Sequence, residues 1–241
     1  MACADLGKTD VPEILNRVLR SFTLDQLDML APIEPAGFEP NNVIYCQDEA
    51  VTHLILVDRG LYSLARCIDD GHRSVIIWAY GGSYGVLGTH TVLQRAESLY
   101  EYKALTKLRG WKVRRDVMHA AMSEDVAFSQ KLQAIARISH AAIGQMAACC
   151  AVHSFERRFC RQLVMFRHAM ESNYIPVSRR TLTEIVPMSR GYSFRLVASL
   201  RGLVTFQPDS LVINDLEAVE RRACGCFRQI VAERRAEIKD W

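Results

Sequence analysis

Residues 177 to 201, VSRRTLTEIVPMSRGYSFRLVASLR, constrain the fold of this chain more than any other stretch. Leu182, Ile185 and Val186 recur at helical spacing, and Phe194, Val197 and Leu200 repeat it after the break at Pro187-Met188. Two short helices around a tight turn are therefore predicted. Ser178 is placed to cap the first and Ser189 the second, because a serine hydroxyl accepts from a free amide two or three residues on. The polar face left on the second helix carries Arg190, Tyr192, Ser193 and Arg195. A short basic helix presented at an angle by a partner can enter a DNA major groove and offer guanidinium forks to guanine edges and phosphates. Taken alone, the segment also reads as an ordinary helical hairpin with a solvated basic face.

The following residues, LVTFQPDSLVIND, favour the first reading. Leu203 to Phe206 and Leu211 to Ile213 are β-prone runs separated by Gln207-Pro208-Asp209-Ser210, where proline fixes φ and aspartate can bond its own backbone. A two-helix unit followed by a hairpin is a winged helix-turn-helix. Charge agrees with this. Residues 154 to 241 hold fifteen Arg and Lys against ten Asp and Glu, so this third carries +5 and residues 1 to 153 carry −2. A positive C-terminal third suits displacement of counterions from a phosphate backbone.

The N-terminal half has another texture. An amphipathic helical start, Val11 to Leu30, precedes β-like runs at Asn42 to Gln47, His53 to Arg66, His72 to Tyr80 and Leu99 to Val113. Asp69-Asp70-Gly71 and the glycines at 81, 82, 85 and 88 punctuate them. Short strands with glycine corners predict an antiparallel β-roll or jelly roll of the cupin-like kind. A long helix is predicted from Ser123 to Ala151, capped within Ser123-Glu124-Asp125. Phe128, Leu132, Ile135, Ala142, Met146 and Cys149 form one apolar stripe on it, and Ile138 and Ile143 form a second flank. The stripe alone is compatible with a helix packed on its own roll, but a helix covered on two sides is expected to be a dimer seam.

The expected fold class is thus α+β. Residues 1–122 form the β-roll, 123–153 the dimerisation helix and hinge, and 154–241 the winged helix-turn-helix. The hydrophobic share of 49% is ample for such cores. MACADLGKTD lacks the pattern of an export signal, and Ala141 to Val152 is too short an apolar stretch to span a bilayer, so a cytoplasmic protein without membrane contact is expected. Eight scattered cysteines without CxxC spacing read as reduced thiols.

Over nearly its whole length the chain resembles the Crp/Fnr family of bacterial transcriptional regulators. The resemblance is carried by HLILVDRGLYSLARCIDDGHRSVIIWAYGGSYGVLG, with Gly60, Gly71, Gly82, Gly85 and Gly88 at the family's turns. AACCAVHSFERRFCRQLVM is similar to the hinge and first DNA-domain helix of one subgroup, and AVERRACGCF to its C-terminal helix. The resemblance implies a homodimer that binds double-stranded DNA, works with RNA polymerase and has no enzymatic activity. It implies DNA contacts from Arg179, Arg180, Ser189, Arg190, Tyr192, Ser193 and Arg195, and an effector site around Tyr84, Gly85, Val86, Arg95 and Ser98.

This sequence departs from the family in five places. The family's ribose-holding Glu is Val86, and the positions that hold a cyclic phosphate are Ser98 and Leu99, with Arg95 nearby, so cyclic AMP is not the expected effector. Cys3 alone cannot supply the N-terminal cluster of iron–sulfur members. The helix-turn-helix turn carries Pro187 where glycine is usual, and the link from Leu200 to Leu203 is two residues short. The recognition motif Ser-Arg-Glu stands as Ser189-Arg190-Gly191. An alternative reading follows, a haem- or small-ligand-binding sensor whose DNA domain has diverged. Cys149, Cys150 and His153 lie within one helical turn and offer soft ligands for it, although packing at a hinge is the preferred reading and no metal is assigned. Cys224 and Cys226, if on one helix, point about 200° apart and make a poor chelate. His53, His72 and His90 lack the grouping of a metal-dependent cupin enzyme.

Overall fold

Glycine sets the corners of the N-terminal module. In a computed structural model, which describes residues 22–67, 73–80, 85–94, 97–178, 181–182 and 190–237, Gly60 separates β3 (His53–Arg59) from β4 (Leu61–Cys67) at φ +120. A Cβ there would sit 2.7 Å from the Leu108 Cα, so only glycine fits the corner. The run expected from His53 to Arg66 is therefore two strands. The run from Leu99 to Val113 likewise divides into β7 (Glu101–Ala104) and β8 (Leu108–Arg114). With β1 (Glu34–Phe38), β2 (Val43–Tyr45), β5 (Arg73–Tyr80) and β6 (Val86–Leu87), they build two four-stranded antiparallel sheets, ordered β1-β8-β3-β6 and β2-β7-β4-β5. This is the expected β-roll.

Three helices serve the roll: α1 (Leu24–Asp28), α2 (Thr89–Gln94) and α3 (Arg115–Glu124). Of the helical start expected at Val11 to Leu30, only residues 22 onward are described, and they contain the single short helix α1. Thr23 and Gln26 form a capping box on it. The Gln26 amide then donates to Asp125 at 2.7 Å, tying this segment to the start of the next helix.

The long helix is α4, Val126–Val152. It starts later than the sequence suggested. Asp125 has extended backbone and its carboxylate accepts from the Phe128 N–H at 3.0 Å, which separates α4 from α3. By length and composition α4 meets the requirement for a membrane span, which the Ala141–Val152 stretch alone does not. Its apolar stripe, however, is spent on the chain's own core. Phe128, Leu132 and Ile135 pack with Leu54, Leu56, Val86, Val113 and Met118 of the roll. Ile138, Ala142 and Met146 join a second cluster, and Cys149 a third. The stripe expected to be a dimer seam is therefore intramolecular, because it faces two modules of its own chain. Ile138 belongs to that same buried face.

The C-terminal module comprises α5 (Phe155–Met170), β9 (Tyr174–Ile175), α6 (Arg190–Ser199), β10 (Val204–Phe206), β11 (Leu211–Ile213), α7 (Leu216–Arg222) and α8 (Cys226–Glu237). The hairpin β10–β11 pairs in the register Val204↔Ile213 and Phe206↔Leu211, and β9 adds a third strand that the sequence did not reveal. Phe159, Leu163 and Phe166 of α5 share one hydrophobic cluster with Leu196, Leu200, Leu211, Val219 and Ile230, so α5 and the later elements are built around a common core.

Candidate nucleic-acid interface and sensor site

The helix predicted to read DNA is α6. Leu196 and Leu200 are buried at i,i+4 spacing and fix its inner face, while Arg195 is exposed beside them. Arg190, Gly191, Tyr192 and Ser193 occupy its first turn. Arg179, Arg180, Ser189 and Pro187 lie outside the described residues. The helix that precedes α6 begins as predicted: the Thr181 N–H donates to the Ser178 hydroxyl at 3.0 Å. At the other end of α6, the Arg222 guanidinium donates to the Ser199 carbonyl and lies 3.4 Å from Glu156, which in turn accepts from the Ser199 hydroxyl. A cation at the last carbonyls also opposes the negative end of the helix dipole. Arg222 and Glu156 thus hold α6 against α5 and α7.

The short link after α6 is closed by glycine. Gly202 takes φ +82, which turns the chain from the helix end directly into β10. The wing turn uses the predicted chemistry, since the Gln207 N–H donates to the Ser210 carbonyl at 2.8 Å and the Ser210 hydroxyl to the Gln207 side chain at 2.6 Å. Asn214 braces the hairpin base by donating to the Thr205 hydroxyl at 2.9 Å. Helix end, link and wing are therefore joined by one continuous set of hydrogen bonds on the basic third of the chain.

In the roll, two of the expected effector residues are occupied by packing. Val86 is buried in β6 opposite Leu56. Ser98 is fully buried, and its hydroxyl donates to the Tyr100 carbonyl at 2.7 Å. Its N–H and C=O bond to Glu49 and Asp48, so Ser98 is a loop clasp. The Gly85 carbonyl accepts from the Val57 N–H, and Tyr84 and Arg95 lie outside the described residues.

Around these positions the interior is aromatic. Tyr102 lies edge-on to Tyr45 at 5.3 Å and stacks with His90 at 6.4 Å. Burial raises the phenols of Tyr45 and Tyr102 well above their usual range and lowers the pKa of His90. The His90 Nε2 accepts from the Leu99 N–H at 3.3 Å, a bond that needs the neutral ring. Leaving Arg73 aside, no arginine or lysine among the described residues is buried in the roll. A cavity of about 700 Å³ lies elsewhere, between the loop Ala50–His53, α2 and the start of α3, lined by Arg114, Arg115 and His119. Asp116 pairs with Arg114 there.

The cysteines are arranged differently from the sequence reading. Cys150 is exposed and its sulfur accepts from Arg158 at 3.0 Å, away from Cys149 and His153. Cys149 and His153 instead meet Cys224 and Cys226. The latter pair is not on one helix: α7 ends at Arg222, Ala223 is extended, and α8 opens at Cys226. The half-turn separation expected on a helix therefore does not apply. Neither Cys-x-Cys nor Cys-x₃-His is informative alone, and nothing in the sequence joins them.

No family-wide sequence profile matches the chain, and no curated protein matches it by sequence. Its fold nevertheless has close counterparts among solved structures. TTHB099, a CRP-family transcriptional regulator from Thermus thermophilus, superposes with a TM-score of 0.63 at 19% identity, covering 78% of this chain and 96% of that one. FixK2 from Bradyrhizobium japonicum gives 0.59 at 17% identity, covering 80% and 98%. CLP, a c-di-GMP responsive global regulator from Xanthomonas campestris, gives 0.55 at 17%, covering 79% and 99%. The chain has the Crp/Fnr fold: a cyclic-nucleotide-binding-like roll, a long helix and a winged helix-turn-helix.

Proposed function

We propose that this protein is a DNA-binding transcriptional regulator that acts as a homodimer and responds to an effector other than cyclic AMP. The observation that carries the reading is α6 with its wing. A ten-residue helix holding Arg190 and Arg195 is anchored by Glu156 and Arg222 beside a β-hairpin, on a segment of net charge +5. Double-stranded DNA is the partner this geometry suits, and RNA polymerase is the expected second partner of a regulator acting in the cytoplasm. The second copy would dock along the outward face of α4, where Arg137, His140, Gly144, Ala147, Ala148 and Ala151 are exposed. Small residues there allow close approach of two backbones. Buried Val86, the occupied Ser98 hydroxyl and the aromatic interior support an effector without a charged cyclic phosphate.

Two recognition helices related by a two-fold axis should meet successive major grooves. The operator should then be an inverted repeat with half-sites about 10–10.5 base pairs apart. Arg190 and Arg195 are about 140° apart around the helix at 100° per residue, so one can address a guanine while the other takes an adjacent base or phosphate. Gly191 offers no acceptor for a cytosine amino group, so one position per half-site should be degenerate, a loss of about 1–3 kcal/mol of discrimination. Selection from a random DNA pool tests this, followed by the Arg190→Ala/Arg195→Ala double variant. Binding of the operator by that variant at wild-type strength would show that α6 is not the reader.

A further inference from the structure

The last turn of α4 and the α7–α8 junction place four metal-ligand side chains around one point. Cys149 lies in the last turn of α4 and His153 is its C-cap, whose N–H donates to the Cys149 carbonyl at 3.0 Å. The Cys224 N–H donates to the Arg157 carbonyl at 3.2 Å, which pins the junction beside them, and Cys226 begins α8. The Cys149 and Cys224 sulfurs are 3.5 Å apart, and the Cys226 sulfur is 3.6 Å from His153 Nδ1. All four ligand atoms lie within 4.8 Å of one another. A tetrahedral ion with about 2.3 Å bonds to sulfur and about 2.0–2.1 Å to nitrogen has sulfur–sulfur edges of roughly 3.8 Å and sulfur–nitrogen edges of roughly 3.5 Å. The two close pairs lie within about 0.3 Å of those edges, and the remaining pairs are within 4.8 Å, so small side-chain rotations close the tetrahedron.

Charge gives an independent argument. Arg161 of α5 is only 7% exposed and its guanidinium donates to the Cys149 sulfur at 3.5 Å and to the Met146 sulfur. Among the described residues it has no carboxylate partner, and its Nε has no acceptor. A buried cation without a counter-charge is strongly unfavourable. Neutral thiols do not supply one. Three thiolates around a dication leave one net negative charge, which Arg161 would balance.

We propose that Cys149, His153, Cys224 and Cys226 form a structural zinc site that fastens the end of α4 to the C-terminal helices. Three thiolates and an imidazole select a borderline-soft tetrahedral ion, and four protein ligands leave no open position for catalysis. The same four donors leave no plane for a porphyrin and stand too close together to span two irons. On binding, the three thiol protons pass to solvent, and His153 coordinates as the neutral ring through Nδ1. The site stands on this geometry and on the charge of Arg161, and does not depend on the DNA-binding reading.

The test uses the full-length chain, untagged and purified under reducing conditions. Elemental analysis should find one zinc per chain, and replacement by Co²⁺ should give the visible absorption of a tetrahedral thiolate complex. Loss of an outer partner of a metal ligand typically weakens binding 10–100-fold, so Cys226→Ser and His153→Gln should each weaken retention by more than about 100-fold in competition with a chelator. Cys150→Ser, at the exposed neighbour, should retain the metal. Far-UV circular dichroism on each variant separates metal loss from unfolding. As a measurement free of substitutions, adding chelator to the wild-type chain should release three thiols to a thiol-specific reagent. A helical wild-type chain that gives no cobalt spectrum would overturn the proposal, and so would a Cys149–Cys224 disulfide in peptides from the non-reduced protein.

Discussion

Replacing Gly202 tests the joint between the candidate recognition helix and its wing. The final turn of α6 closes through Leu200 N–H to Leu196 C=O at 3.1 Å and Arg201 N–H to Ala198 C=O at 3.2 Å. Val204 then donates back to Leu200 at 3.0 Å as β10 begins. Gly202 makes this reversal at φ +82, and a Cβ added to it would meet nothing within 4 Å. The cost of Gly202→Ala is therefore backbone strain without a clash. Left-handed backbone costs an L-residue about 1–2 kcal/mol. Restricting the unfolded chain returns about 0.4–1 kcal/mol. The net loss should be about 1 kcal/mol. With a urea slope near 3 kcal/mol/M, that is a fall of about 0.3 M in the unfolding midpoint at unchanged slope. Gly202→Asn should lose less, because asparagine tolerates this region. A midpoint that rises in the alanine variant would mean that Gly202 is not left-handed, and that the helix–wing angle is set differently.

Three further outcomes follow from the same structure. His90 must be neutral to accept from Leu99, and burial lowers its pKa below the ordinary 6.5; its contribution to stability is present above pH 6.5 and lost as pH falls through the lowered value. The decline of Tm on acidification should be shallower in His90→Gln, and superimposable profiles would refute the role. Calorimetric titration with cyclic AMP should show no micromolar binding, since Val86 cannot bond a ribose hydroxyl and the Ser98 hydroxyl is engaged by Tyr100; micromolar affinity would point to Arg95 as the next residue to replace. Gly144→Leu puts a bulky side chain on the exposed face of α4, where Gly144 has open space, so sedimentation should show monomers in place of dimers if that face is the seam.

Features that depend on neighbouring residues were readable in the sequence. The wing is an example: Pro208 and Asp209 define its turn, and the strands form at the expected Leu211–Ile213 and one residue inside Leu203–Phe206. Ser178 is another, since its cap acts three residues away. β1 was missed because Glu34-Pro35-Ala36-Gly37 reads as a breaker. It survives as the edge of its sheet, where proline need not donate to a second neighbour. What covers the apolar stripe of α4 was not readable for a different reason. A heptad-like stripe records that something covers it but not whether the cover comes from the same chain, and here Leu54, Leu56 and Met118 supply it. The Cys149–Cys224 contact spans 75 residues and depends on a break between two helices, so no local pattern signalled it.

The packing of α4 also limits how a signal in the roll could reach α6. Ile138, Ala142 and Met146 lie in one continuous cluster that contains Tyr62, Leu64 and Tyr102 of the roll together with Phe159, Leu163, Leu196 and Leu200 of the C-terminal module. Helix α5 also touches β4 and β5 directly. Swinging the C-terminal module away as a rigid body would expose several of these side chains, each at about 1.5–3 kcal/mol. An effector typically supplies a coupling free energy of about 1–3 kcal/mol in total. Opening is therefore too costly, whereas a slide or repacking along α4 that keeps the cluster buried is within reach. Hydrogen exchange distinguishes the two. A sliding helix keeps the α5 and β4 amides protected together when ligand binds, while loss of protection in both would show that the modules separate.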